Sequence, residues 1–220
     1  MYLWPVAKRV DTIVVGSFEV NCYLVWDEGT KDLIIIDPGD DSAAVIRRIH
    51  ATRATPRAVL LTHGHGDHIG AVTELRQKFG IPLVAGTGEK QYLADPMYNL
   101  SGQIGLPISL APAEQWVADE ETISFGSLSF RVLSTPGHTS GGVCFLDETE
   151  GAVFCGDTIF QGSIGRTDFP GSSFKELMLS IQNKILTLPD DIVCYPGHGP
   201  TTTVGAERRS NPFLLEHLYG

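Results

Sequence analysis

Cysteine is scarce in this chain of 220 residues, which has four, at Cys22, Cys144, Cys155 and Cys194. None forms a Cys-x-x-Cys pair, and each stands among apolar or β-branched neighbours. That argues against a Cys-rich zinc site and against a disulfide framework, and the four read as reduced core residues. Long hydrophobic runs are missing too. The longest, such as residues 33–36, fall far short of the roughly 20 residues that cross a bilayer as a helix. No secretory leader is legible, because the basic residues Lys8 and Arg9 follow the short apolar stretch instead of preceding it and no small-residue cleavage site accompanies them. A cytoplasmic location is expected. Positive charge is also in deficit, with 16 Lys plus Arg against 26 Asp plus Glu and a formal net charge of −10. With no basic stripe to offset that balance, nucleic acid and membrane surfaces are poor partners. The hydrophobic fraction of 42% and the chain length fit one globular α/β domain over 1–220.

Short strand-like runs at 12–15, 22–26 and 33–36 are separated by turn signals that include Asp27-Glu-Gly and Asp37-Pro-Gly, a β-meander pattern. Residues 43–49 carry Val45, Ile46 and Ile49 at helical spacing, and 58–62 reads as a strand. A helix is expected from Asp67 or His68 onward, with Ile69, Val72, Leu75 and Phe79 on one face and Gly80 and Pro82 as stop signals. Residues 92–121 show no period and are assigned to a short helix and an irregular loop that could cover a site. Strands resume at 122–125, 128–133, 143–146 and 152–155. Ser173-x-x-Glu176 is a capping-box pattern ahead of Phe174, Leu177, Met178, Ile181 and Ile185, and 192–195 is a further strand. A meander with helices in both halves predicts two face-to-face sheets with helices outside, an αββα sandwich.

Five of the seven histidines lie beside glycine in loops that come after predicted strands: His63, His65, His68, His138 and His198. Loops from neighbouring strand ends open onto one rim, and glycine lets such loops turn tightly enough to bring imidazoles together. Residues two apart in an extended loop point the same way, so His63 and His65 can clamp one cation. Asp67 and His68 then face a second, and Asp157, in Gly-Asp-Thr at another strand end, has two oxygens with which to bridge both. Seven donors for two ions is too large a polar cluster to place in a protein without compensation. By contrast, His50 and His217 read as surface or packing residues, and Glu207, Arg208 and Arg209 as a solvated or ion-paired helix end. Tyr2, Trp4 and Trp116 could pack the core or line a pocket.

Thr62-His-Gly-His-Gly-Asp-His68, Thr135-Pro-Gly-His138-Thr, Phe154-Cys-Gly-Asp157-Thr and Tyr195-Pro-Gly-His198-Gly resemble the metallo-β-lactamase superfamily in type and order. The resemblance covers nearly the whole chain. It implies the four-layer αββα sandwich, one metal on His63, His65 and His138, another on Asp67, His68 and His198, and Asp157 between them. Two divalent ions are implied, zinc first, with iron or manganese as alternatives. No cysteine stands at a ligand position, unlike the lactamase classes that use one. Ser163-Ile-Gly-Arg-Thr-Asp-Phe-Pro-Gly-Ser-Ser173 and Asn211-Pro-Phe look like the glyoxalase II group, hydroxyacylglutathione hydrolases, in a short form: residues 199–220 come after His198 where longer members carry a further helical domain.

Such a donor set implies a hydrolase. Water between two divalent cations is acidified from about 15.7 toward ~7, so hydroxide is available at neutral pH to attack a carbonyl. A thiolate, with a conjugate pKa near ~8.5, leaves without a strong general acid. Thioesters, in particular a glutathione thioester such as lactoylglutathione, are therefore the expected substrates, with Asp67 catalytic. Arg166, at the rim after Asp157, is expected to hold a substrate carboxylate, or else to brace its loop through Asp168. Two alternatives stay open. Similarity of Gly165-Arg-Thr-Asp-Phe169 to persulfide dioxygenases implies one iron on His63, His138 and Asp157, and a metal-binding module without catalysis is the other.

Overall fold

Strands β1 (Lys8–Val15), β2 (Val20–Asp27) and β3 (Asp32–Ile36) pair as the expected antiparallel meander. Period-two alternation sends Cys22, Leu24, Leu33 and Ile35 to one face and Tyr23, Val25, Ile34 and Ile36 to the other. Both faces are covered, so β3 is buried at every position. That explains why it reads as an unbroken apolar run. The computed structural model describes residues 8–219. Tyr2 and Trp4 lie outside the described residues, as does the side chain of His217.

The first sheet continues in parallel through β4 (Thr55–Leu60), β5 (Leu83–Gly86) and β6 (Gln115–Val117). Helices α1 (Ser42–Thr52) and α3 (Val72–Phe79) cover its outer face through Val45, Ile49, Val72 and Leu75. A second six-stranded sheet contains β7 (Thr122–Phe125), β8 (Leu128–Ser134), β9 (Val143–Asp147), β10 (Ala152–Gly156), β13 (Val193–Pro196) and β14 (Thr202–Thr203). Between β10 and β13 the chain forms the small hairpin β11 (Ile159–Phe160) and β12 (Ser163–Ile164). Helix α5 (Phe174–Ser180) packs on the outside of the second sheet with Leu177, Met178, Ile181 and Ile185, joined by Val204 of α6 (Val204–Ser210) and Leu214 of α7 (Pro212–Tyr219). The inner faces meet through Tyr23, Ile34, Leu60, Phe130, Phe145 and Phe154, among others. Each large apolar side chain buried this way contributes about 1.5–3 kcal/mol. The result is the αββα sandwich. No helix among the described residues is long and apolar enough to cross a membrane.

Several expectations are corrected. The helix predicted to run unbroken from Asp67 is interrupted: α2 (Gly66–Ile69) ends and α3 starts after Gly70 and Ala71. Gly70 and Ala71 donate their N–H groups to Gly39 and Pro38 carbonyls at 2.9 and 3.0 Å, not to the preceding turn. A Cβ on Gly70 would stand 2.2 Å from the Gly39 carbonyl oxygen, so this close approach requires glycine. Ser173 caps α5 by accepting from the Glu176 N–H, but Phe174 is 46% exposed and lies off the core stripe. The helix then widens over Ile181–Ile185, where the Leu186 N–H reaches back five residues to Ile181. Glu207 is not a solvated helix end. It is buried, and accepts from Thr202 Oγ1, Gly162 N and Asn211 Nδ2 at 2.6–2.8 Å, while Arg208 and Arg209 pair with Asp190. The four cysteines are free and buried, as expected. His50 is exposed and meets Phe79 edge-on, and Trp116 packs on the first core beneath the Lys90 ammonium.

Candidate metal centre and active site

Five strands end at one rim, and each hands a loop to the same place. Asp37 comes after β3, His63 and His65 after β4, His138 after β8, Asp157 after β10 and His198 after β13. β3 and β4 are parallel, as are β10 and β13, and β8 shares the direction of β10 because β9 is antiparallel to both. The two sheets are also stitched together there: Val143 N donates to Thr62 O, and Asn21 N to Gly197 O, both at 2.8 Å.

The seven predicted residues come together as two overlapping groups. The donor atoms of His63, His65 and His138 all lie within 4.8 Å of one another, and so do those of Asp67, His68 and His198. Asp157 stands between them. Its Oδ1 is 3.5 Å from His68 Nε2, and its Oδ2 is 3.5 Å from His138 Nε2 and 3.6 Å from His198 Nε2. This approach depends on Gly197, where a Cβ would meet Asp157 Oδ1 at 2.1 Å.

Outer partners set the imidazole orientations. His138 Nδ1 donates to Arg166 O at 2.8 Å and His198 Nδ1 to Phe18 O at 2.9 Å. A carbonyl only accepts, so the proton sits on Nδ1 and the Nε2 lone pair faces inward. His68 Nδ1 lies 3.1 Å from Asp37 Oδ2, and His63 Nδ1 lies 3.1 Å from Thr62 Oγ1, whose own hydrogen goes to Asp37 Oδ2 at 2.6 Å. Asp37 also accepts from Thr62 N at 2.8 Å. It groups with His63 and His68 as a donor set, yet its oxygens are already engaged in orienting those two rings. Sequence reasoning took Asp37 only for a turn residue; the missed signal was an acid at the end of a strand on the same rim. Glu89 was also missed. Buried, it accepts from Gly64 N and Thr139 Oγ1 at 2.6 Å and from Gly141 N at 3.0 Å, so it holds the backbone between His63 and His65. Burial raises its pKa to about 7, against the pull of those three donors.

Residues present fit a cation pair. Five buried side-chain polar atoms among the described residues lack a partner, and four belong to this cluster: Nε2 of His63, His65 and His68, and Asp157 Oδ1. Each such atom costs about 1–3 kcal/mol when left unsatisfied. Four together approach a domain's whole stability of about 5–15 kcal/mol. Titration behaviour agrees. Burial pushes His63 well below its ordinary value, and burial together with the nearby His138 brings His65 to about 3. Burial would also lower His68, but the charges of Asp67 and Asp157, with Asp37 beside its Nδ1, outweigh it and hold His68 well above the usual range. Asp157 is shifted well below its usual value, since His68, His138 and His63 overcome the opposing effect of burial. One edge of the cluster is thus neutral nitrogen and the other draws positive charge, which a divalent ion held by these residues would supply.

A cavity of about 620 Å³ opens over the cluster, lined by His65, Asp67, His138, Asp157 and His198 and walled by Phe18, Ile104, Phe160 and Phe169. The loop left without a period does cover the site. Asn99, buried, donates to Tyr92 O and Ile108 O at 2.8 and 2.9 Å and accepts from Ser101, and its carbonyl receives Gly66 N at 2.8 Å. Leu100, Ser101 and Ile104 are thereby set on the cavity wall. Arg166 lines the cavity as well. Its guanidinium pairs with Asp168 through two contacts of 3.0 and 2.8 Å and lies 4.3 Å above the Phe169 ring.

The chain matches the family model for the metallo-beta-lactamase superfamily over residues 15–198. It is 40% identical over 208 residues to a protein named hydroxyacylglutathione hydrolase GloC of Haemophilus influenzae, covering 94% of this chain and 98% of that one. The crystal structure of the BLEG-1 B3 metallo-beta-lactamase superposes with a TM-score of 0.90 at 41% identity, covering 94% of this chain and 99% of that chain. That of TTHA1623 in a di-iron-bound form gives 0.83 at 37% identity, covering 93% and 100%. With the family model matched over residues 15–198 and relatives of about 40% identity spanning nearly all of it, the chain belongs to the metallo-β-lactamase superfamily.

Proposed function

We propose that this protein is a binuclear metal-dependent thioester hydrolase, with His63, His65 and His138 holding one cation, Asp67, His68 and His198 the other, and Asp157 shared. The observation that carries the reading is the set of buried, unpartnered donors spread over both groups. A mononuclear iron site on His63, His138 and Asp157 would leave His68 Nε2 buried and unused. The di-iron form of TTHA1623 supports two ions and leaves the metal open between zinc and iron.

Bound there, two divalent cations would acidify a water and polarise a carbonyl. The chain supplies orientation and selectivity. Asp67 faces the cavity, 3.4 Å from His198 Nε2. Burial favours its neutral form, but His68 and His198 prevail and lower its pKa, so at neutral pH its carboxylate accepts a hydrogen bond from the attacking water and aligns it. An ionised Asp67 cannot protonate an amine, which disfavours amide substrates. A thiolate needs no such help. The name of the GloC relative points to a glutathione thioester. Arg166 would receive one glutathione carboxylate, exchanging it for Asp168. Both side chains of that pair are about two-thirds exposed, and such pairs are worth only about 0–1 kcal/mol.

Metal analysis of the purified protein together with lactoylglutathione turnover tests the reading. Two equivalents of divalent metal and hydrolysis without oxygen uptake are expected. One iron per chain, with oxygen consumed on glutathione persulfide and no thioester cleaved, overturns it. Arg166→Ala should lower kcat/KM for lactoylglutathione by about 10-fold relative to a thioester without carboxylates, the loss of one charge-assisted contact. The Arg166 carbonyl that orients His138 survives this substitution. Equal losses on both substrates would instead assign Arg166 to bracing its loop.

A further inference from the structure

The cavity over the histidines does not stop at Asp67. It shares Phe18, Gly66, Asp67, Ser101 and Ile104 with a second groove of about 420 Å³, which runs on between the turn at 16–18 and the loop at 104–108. Eight large apolar side chains are exposed among the described residues, and three of them stand on this groove: Phe18 at 51%, Ile104 at 51% and Leu106 at 66%. Pro107 and Ile108 extend the same surface. Single exposed apolar residues need no explanation, but a contiguous set leading away from a reactive centre marks a ligand surface.

Charge narrows the ligand. The groove has no Lys, Arg or His, and its ionisable groups are the carboxylates Asp40 and Asp67. Arg166 lines the first cavity but not the groove. Asp67 is given to a cation on the proposed reading, which leaves Asp40 as the groove's free charge; an anionic group there would find no cationic side chain, so the groove suits a neutral hydrocarbon. The two directions out of the metal centre thus differ, one toward Arg166 and the other past Asp67 into apolar surface. A lactoyl group is too short to use the second.

We propose that the groove between Phe18 and Leu106 takes the acyl half of the thioester as an extended, uncharged hydrocarbon chain, so that the substrate class is medium-chain acyl thioesters; this rests on the thioester-hydrolase reading. The thiol half lies on the Arg166 side, and the scissile carbonyl lies over the donor cluster.

The test holds the thiol constant and varies the chain, using the metal-loaded protein. For S-acetyl-, S-butanoyl-, S-hexanoyl- and S-octanoylglutathione, kcat/KM should rise about 2-fold per added methylene, roughly half the factor for full burial because the groove is open on one side. That amounts to on the order of 50-fold from acetyl to octanoyl. A chain of octanoyl length ending in a carboxylate should lose most of the gain. Leu106→Asp, a change at a side chain that lines only the groove, should flatten the series. In parallel, S-alkylglutathione thioethers, which have no scissile bond, should show the same chain-length trend in Kd by calorimetry. A flat series with thioesters still hydrolysed overturns the groove assignment and leaves the hydrolase reading standing. So does a series that stays as steep in Leu106→Asp. A thioether trend without any thioester cleavage supports the groove and sinks the hydrolase reading.

Discussion

Asp157→Ala is expected to weaken binding of both cations together, each by at least about 100-fold, and to lower turnover by on the order of 1,000-fold. The first figure exceeds the 10–100-fold typical of losing an outer partner of a metal ligand. The second is the loss of several kcal/mol of charge stabilisation. Asp157 reaches both groups, with Oδ1 toward His68 and Oδ2 toward His138 and His198. Its negative charge would also offset two bound cations, and a neutral Ala leaves His63, His68 and His138 facing one another without it. Metal content after dialysis against graded chelator, with circular dichroism to confirm the fold, measures the effect. Release of one equivalent at the parent's chelator concentration would show that Asp157 serves one ion. Asp157→Asn separates charge from shape, because the amide keeps one oxygen donor but not the charge. It should fall between the parent and Ala.

Asp67→Ala should abolish hydrolysis, by on the order of 1,000-fold, while leaving secondary structure intact. The side chain is partly open to the cavity, so its removal creates no enclosed apolar void of the kind that unfolds a domain. On the proposed reading the variant loses a donor to the second cation and the acceptor that would align water. Because Asp67 and Asp157 also raise the pKa of His68, losing either carboxylate should lower it and leave that ring more readily deprotonated. Turnover within a few-fold of the parent, at equal metal content, would remove Asp67 from the mechanism.

Much of the site was legible because the chemistry is written in local motifs. His63-Gly-His65-Gly-Asp67-His68 and the two Pro-Gly-His loops each come after a strand, and strand ends on one rim bring their loops together. Asp37, Glu89 and Asn99 were not legible. Their roles lie in which hydrogens they accept or donate between separate segments, as in the Asp37 to Thr62 and Glu89 to Gly64 bonds, and no local spacing encodes that. Glu207 was misread in part for the same reason: besides its near neighbours Thr202 and Asn211 it accepts from Gly162, which comes from the distant hairpin. β5 and β6, with four and three residues, are too short for alternation to stand out from chance.

By itself the sequence determined the class of architecture and the candidate donors, since both depend on residue type at short spacing. Runs such as 33–36, short and bounded by turn signals, fit strands covered on both faces, and imidazoles near glycines at strand ends fit a gathering at one rim. Tertiary structure alone decided which nitrogen of each ring faces inward, where helix α2 breaks from α3, that Arg166 is paired with Asp168, and that the cavity runs on past Asp67 into an apolar groove. Those features arise when distant segments meet. The Gly39 carbonyl takes the Gly70 N–H, the Phe18 carbonyl takes the His198 ring proton, and the 104–108 loop comes to face the 16–18 turn only once the sheets have packed.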